Sequence, residues 1–165
     1  MNALAKPEVG KYLNANFVST YQKVGTFRLA GNQKQGGNVA SYFCTPDGHV
    51  LHAIAGPVNG ATLLREARWA VEAYKLAQLE GREDPEKFRQ FFWDAHAQRL
   101  SQEYGLDLTG NGGNRRRPGR NLGNQGRVHL LLTAAPVPKI EQVYKLIFEK
   151  VLNEKVSTAP VVQAR

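Results

Sequence analysis

Val39-Ala40-Ser41-Tyr42-Phe43-Cys44, then Thr45-Pro46-Asp47-Gly48, then, after His49, Val50-Leu51-His52-Ala53-Ile54-Ala55: this stretch decides the fold. The outer segments are apolar runs of strand length. The four residues between them are turn chemistry, since proline pre-sets one turn torsion and glycine accepts a positive φ. The order predicts a β-hairpin that ends at Gly56-Pro57. Downstream, Leu63, Leu64, Ala67, Ala70, Val71 and Tyr74 recur at three- and four-residue spacing. They predict an amphipathic helix from about Ala61 to Leu79, with Arg65, Glu66, Arg68, Glu72 and Lys75 on its polar face. Upstream, Pro7 to Leu13 predicts a short helix, with a proline and an acid in its first turn where free amides and the helix dipole favour them. Phe17 to Val24 reads as a strand, and Gly25 to Asn38, rich in glycine, glutamine and asparagine, reads as a loop.

The second half of the chain is less regular. Asp84 can cap a helix whose first residue is Pro85, and Phe88, Phe91, Phe92, Ala95 and Leu100 mark its buried stripe. From Gly105 to Gly126 glycine, asparagine and arginine break all periodicity. Val128 to Thr133 is apolar enough for a strand, Ile140, Val143, Tyr144, Ile147 and Val151 mark a last helix, and the tail from Ser157 is expected to fray. The chain thus divides into a region over 1–80, a helical extension over 81–104, a basic loop over 105–126, and a strand, helix and tail over 127–165.

Helix, strand, loop, hairpin, long helix is also the order of the second half of the thioredoxin fold. Pro7-Glu8-Val9 with Tyr12 to Val18, the Val39 to Gly48 strand and turn, and Gly56-Pro57 with the Leu63 to Tyr74 helix together resemble that half of a thioredoxin-like domain, over residues 4 to 79. The resemblance implies an α/β, three-layer sheet-and-helix domain, partial or permuted, with an α-helical C-terminal extension. The sequence departs from the family in three ways. It has no CxxC pair, and Val39 stands where the family carries a cis-proline. The strand that the family places between those matching 17–24 and 39–44 also has no counterpart upstream. Three arrangements remain open: direct pairing of those two strands, insertion of Val128 to Thr133 between them, or a fragment of a longer chain.

Composition narrows the function. With 165 residues, 42% hydrophobic and 22% charged, the chain fits one globular domain rather than a disordered one. No apolar run is long enough to cross a bilayer and no signal-peptide pattern opens the chain, so a cytoplasmic location without membrane contact is expected. A single cysteine, Cys44, excludes an intrachain disulfide and a thiol-redox pair. Cys44 is a candidate reactive thiol, but a free cysteine beside Phe43 in a strand reads as packing. His49 and His52 fall on opposite faces of a regular strand, and His96 and His129 complete no HxxxH or HExxH spacing, so neither a metal site nor a cofactor is expected. Nor does the chain carry a catalytic constellation or a phosphate loop.

Charge is the remaining feature. The formal net charge is +8, and Arg115, Arg116, Arg117, Arg120 and Arg127 supply five of it in a stretch with no acid between Asp107 and Glu141. Guanidinium groups on such a segment suit phosphate contacts, although no aromatic residue lies among them for bases to stack on. Phe88, Phe91, Phe92 and Trp93 exceed what one helix face needs and would suit a protein partner or a homo-oligomer. The expected function is a non-catalytic thioredoxin-like interaction domain without redox activity. The alternatives are a nonspecific nucleic-acid-associated protein acting through the arginine-rich loop, and a fragment of a longer thioredoxin-like oxidoreductase.

Overall fold

β3 (Ala40–Cys44) and β4 (Val50–Ala55) form the expected antiparallel hairpin, with Ala40 opposite Ala55 and Tyr42 opposite Ala53. Gly48, at φ 82°, makes the turn, and Gly48 N–H donates to the Thr45 carbonyl. All six residues of β4 are buried. The computed structural model describes residues 3–24, 27–31, 33–81, 84–109 and 122–156.

Helices cover the hairpin. α1 (Pro7–Asn16) and α2 (Gly60–Gly81) pack Val9, Leu63, Ala67 and Ala70 against Phe43 and Ile54. α3 (Pro85–Tyr104) joins α2 around Phe92, which is fully buried with Leu51, Ala73 and Ala77. α4 (Gly123–Ala134) and α5 (Ile140–Leu146), the latter continuing as a π-helical turn over Ile147–Val151, bring Val128, Leu132, Val143, Ile147 and Val151 against Val50, Ala53 and Ala55. Asp84 caps α3 as expected, accepting from the amides of Glu86 and Lys87. Such a cap contributes about 1 kcal/mol. At the junction of α2 and α3 the chains pass so closely that a Cβ on Gly81 would lie 2.8 Å from the Phe88 backbone nitrogen. Near the C-terminal end of the described chain, Glu154 accepts from the amides of Gly37 (2.7 Å) and Asn38 (3.0 Å), tying it to the segment that leads into β3.

The architecture is mixed α/β, and four expectations are corrected. Residues 17–24 form no strand: Val18 and Tyr21 are exposed, and Phe17 packs with its ring 5.4 Å from that of Phe43. Its imperfect alternation offers no continuous apolar face for a sheet to bury. Within the stretch expected to be loop, β1 (Phe27–Ala30) and β2 (Gln33–Gly36) pair antiparallel, because Gly31 at φ 61° lets the chain reverse between Ala30 and Gln33. Val128 to Thr133 is helical rather than extended, so it fills no place in a sheet. Three successive leucines are good helix formers, and Val128 and Leu132, four apart, share one buried face. Glu66, expected on the solvent face of α2, is 1% exposed. Among the described residues, β1–β2 and β3–β4 are separate two-stranded sheets, and no helix is long and apolar enough to cross a membrane. Arg115, Arg116, Arg117, Arg120 and the tail from Ser157 lie outside the described residues.

Candidate functional site

Glu66 organises the polar interior. It projects from α2 on the same stripe as Leu63, Ala67 and Ala70, and there meets three donors. Arg99 of α3 reaches it through Nη1 at 2.6 Å and Nη2 at 3.2 Å, Arg65 through Nε at 2.9 Å and Nη2 at 2.7 Å, and His52 of β4 through Nε2 at 2.9 Å. Burial alone would raise the Glu66 carboxyl, but the hydrogen bonds from His52 and Arg99 outweigh it and hold the group well below the usual carboxylate range. Arg99 is itself nearly buried. Its Nε donates to Glu103 at 2.7 Å, and its guanidinium lies 5.0 Å from the centre of the Trp69 ring.

Behind this ion pair lie three imidazoles from three different elements. His52, His96 of α3 and His129 of α4 are all buried, and one ligand atom from each falls within a group no wider than 4.8 Å. Their rings stack loosely, with centroids 5.0 to 5.8 Å apart, and Trp69 closes one side, its centroid 4.8 Å from that of His52.

Hydrogen bonds fix the protons. A carboxylate only accepts, so His52 Nε2 carries the hydrogen it donates to Glu66, and its Nδ1 is left with a bare lone pair. His96 Nε2 likewise donates to the Leu51 carbonyl at 3.0 Å, which makes its Nδ1 an acceptor; that atom lies 2.8 Å from His129 Nδ1, the donor of the pair. The outcome is that two of the six imidazole nitrogens keep bare lone pairs. His52 Nδ1 and His129 Nε2 are buried with no hydrogen-bonding partner among the described residues. Each such orphan costs about 1–3 kcal/mol. Burial is the first cause that holds all three imidazoles below their ordinary range, His96 down to about 3; Arg99 adds to it in each, neighbouring imidazoles add to it for His96 and His129, and Glu66 opposes it for His52. They are neutral at physiological pH, which is the form that binds metal.

The arrangement could hold a metal ion, with outer partners already in place for two of the rings. Two of the three rings donate their far nitrogen to a carboxylate or a backbone carbonyl, which fixes ring orientation and raises the basicity of the inner nitrogen. Outside it, a surface groove of about 340 Å³ is lined by Arg65, Trp69, Gln98, Arg99, Gln102 and Glu103, so four side chains of the network, Arg65, Trp69, Arg99 and Glu103, also face the surface.

The residues singled out from the sequence lie elsewhere. Cys44 ends β3, half-buried, and burial pushes its thiol up to about 11, in keeping with a packing role. His49 turns away from the cluster to Asp47, 2.7 Å from its Nδ1. Arg127 is exposed on α4. The other four arginines of the basic stretch lie in 110–121, outside the described residues. No spacing rule could have joined His52, His96 and His129, because they come from a strand and two helices far apart in the chain. The signal available was their setting. His52 interrupts an apolar strand, His96 falls four residues from both Phe92 and Leu100, and His129 adjoins Val128. No protein-family model, curated protein or solved structure matches the chain.

Proposed function

We propose that this chain is a metal-binding domain, which holds one transition-metal ion on the imidazoles of His52, His96 and His129. The observation that carries the reading is the pair of buried nitrogens without a hydrogen-bonding partner among the described residues, His52 Nδ1 and His129 Nε2, within a cluster of three imidazoles. A protein interior rarely leaves one such atom, and two in one cluster call for a common ligand. Imidazole donors suit zinc, copper, iron and nickel rather than calcium or magnesium. Metal-free full-length chain dialysed against each of these ions in turn, with Cu(I) under reducing conditions, tests it by the metal retained. One ion per chain is expected for at least one of them, lost in His129→Asn. Retention of none overturns the reading.

The scaffold for this site is read as a thioredoxin-like domain that works by binding rather than by thiol exchange. Its support is the succession of α1, the β3–β4 hairpin and α2, with both helices on one face of the hairpin, and a single cysteine whose thiol is held in its protonated form. An insulin-reduction assay with dithiothreitol is expected to show no acceleration over the uncatalysed rate.

A second reading, contact with nucleic acid through phosphates, is favoured by the five arginines in a stretch free of acids and by the exposure of Arg127. It requires binding that weakens steeply with salt and is lost when all five are replaced by alanine.

A further inference from the structure

We infer that the ion held by His52, His96 and His129 is a monovalent, low-coordinate one, Cu(I), rather than Zn²⁺ or another dication. The inference rests on the metal-site reading above and turns on donor number and charge.

Three imidazoles are the only donors gathered there among the described residues, and an imidazole ligates in its uncharged form. The one carboxylate within reach, Glu66, is committed: it accepts from Arg65, Arg99 and His52, and so stands behind the ligands as a partner of His52. The charges of Glu66 and Arg99 cancel, so the ion brings its whole charge into the core uncompensated. The desolvation penalty of an ion grows as the square of its charge, about four-fold from a monocation to a dication. Structural zinc sites meet that penalty with four donors, commonly including thiolates, and catalytic ones keep a position open to solvent. Here the ligand rings are between 0% and 1% exposed, Trp69 closes one side, and Cys44 belongs to a different cluster, with Val50, Val128 and Val143. Cu²⁺ prefers a tetragonal set of four or more donors. Cu(I), with a filled d shell, has no such preference and is content with two or three nitrogens.

The spacing agrees. Metal–imidazole bonds of about 2.0 Å set three nitrogens around one centre about 3.5 Å apart. One ligand atom from each of the three rings lies within 4.8 Å of the others, near that separation.

The full-length metal-free chain is titrated anaerobically with Cu(I) against a chromogenic Cu(I) chelator, with Ag(I) as a redox-inert stand-in by calorimetry, and with Zn²⁺ against a zinc dye. The copper complex is then examined by X-ray absorption. The expected result is one Cu(I) or one Ag(I) per chain, bound at least about 100-fold more tightly than Zn²⁺, with nitrogen-only ligation and stoichiometry unchanged in Cys44→Ser. Zn²⁺ bound as tightly as Cu(I) would overturn the monovalent assignment and leave the metal site standing. Copper bound through sulfur, or lost in Cys44→Ser, would overturn the assignment of these ligands. Absence of binding by every ion would remove the site altogether. All of these are read on the native sequence or on a variant remote from the cluster, so none depends on a histidine variant that folds.

Discussion

Acidification of the metal-free protein should unfold it early, and the size of the effect follows from the three imidazoles. Their folded-state pKa values lie below the ordinary 6.5, that of His96 at about 3. Below pH 6.5 the unfolded chain therefore binds protons that the folded chain refuses. The slope of unfolding free energy with pH is positive there, so stability is full above 6.5 and is lost as pH falls. Each histidine contributes about 1.4 kcal/mol per pH unit, and three together about 4. Below 4.5 Glu66 adds to the loss, because the unfolded chain protonates a carboxylate that the fold keeps ionised. Against a domain stability of about 5–15 kcal/mol, unfolding should be complete between about pH 5 and pH 3. Urea unfolding followed by far-UV circular dichroism at pH 7, 6 and 5 measures this directly. A stability unchanged from pH 7 to pH 5 would refute the reasoning, since it would mean that the folded imidazoles take up protons as freely as unfolded ones. Bound metal should oppose the trend by holding the imidazoles neutral.

Other substitutions probe the supports. Glu66→Gln strips the buried charge that faces Arg99 and should cost about 3–5 kcal/mol in urea unfolding, while Glu66→Leu combined with Arg99→Met should recover most of it. Gly81→Ala drives a methyl group into the Phe88 backbone and should cost about 1–3 kcal/mol. Gly10→Ala, in α1 with open space around the new Cβ, should instead stabilise by about 0.5–1 kcal/mol, and a thermal melt of the two variants separates the cases. With a thiol pushed up to about 11, Cys44 should react with a disulfide reagent at pH 8 about 100-fold more slowly than free cysteine, and the rate should climb as pH rises toward that value.

The hairpin, α1, α2 and the capped start of α3 were legible because each is written in local signals: a Pro-Asp-Gly turn, a helical stripe, a proline at the first helical position. The second half was harder. Val128 to Thr133 is short and apolar, and periodicity cannot separate a buried helix from a buried strand over so few residues; only its packing on β4 decides. By its charge Glu66 reads as solvent-facing, although its position, three residues after Leu63 and four before Ala70, lies in the helical stripe. Its partners Arg99 and His52 come from other elements, so nothing local to α2 announces them. The histidine cluster was hidden for the same reason. Each member could be placed on a buried face, but their meeting depends on how α3 and α4 dock beside β4, which is a long-range property of the fold.

Imidazole nitrogen NMR on the ¹⁵N-labelled full-length chain, with Ag(I) added stepwise, tests the central claim most directly. The resonances of His52, His96 and His129 should shift together and saturate at one ion per chain, while His49 stays in place. Movement of His49 alone, or of none of the four histidines, would mean that the buried imidazoles are core packing and hold no metal.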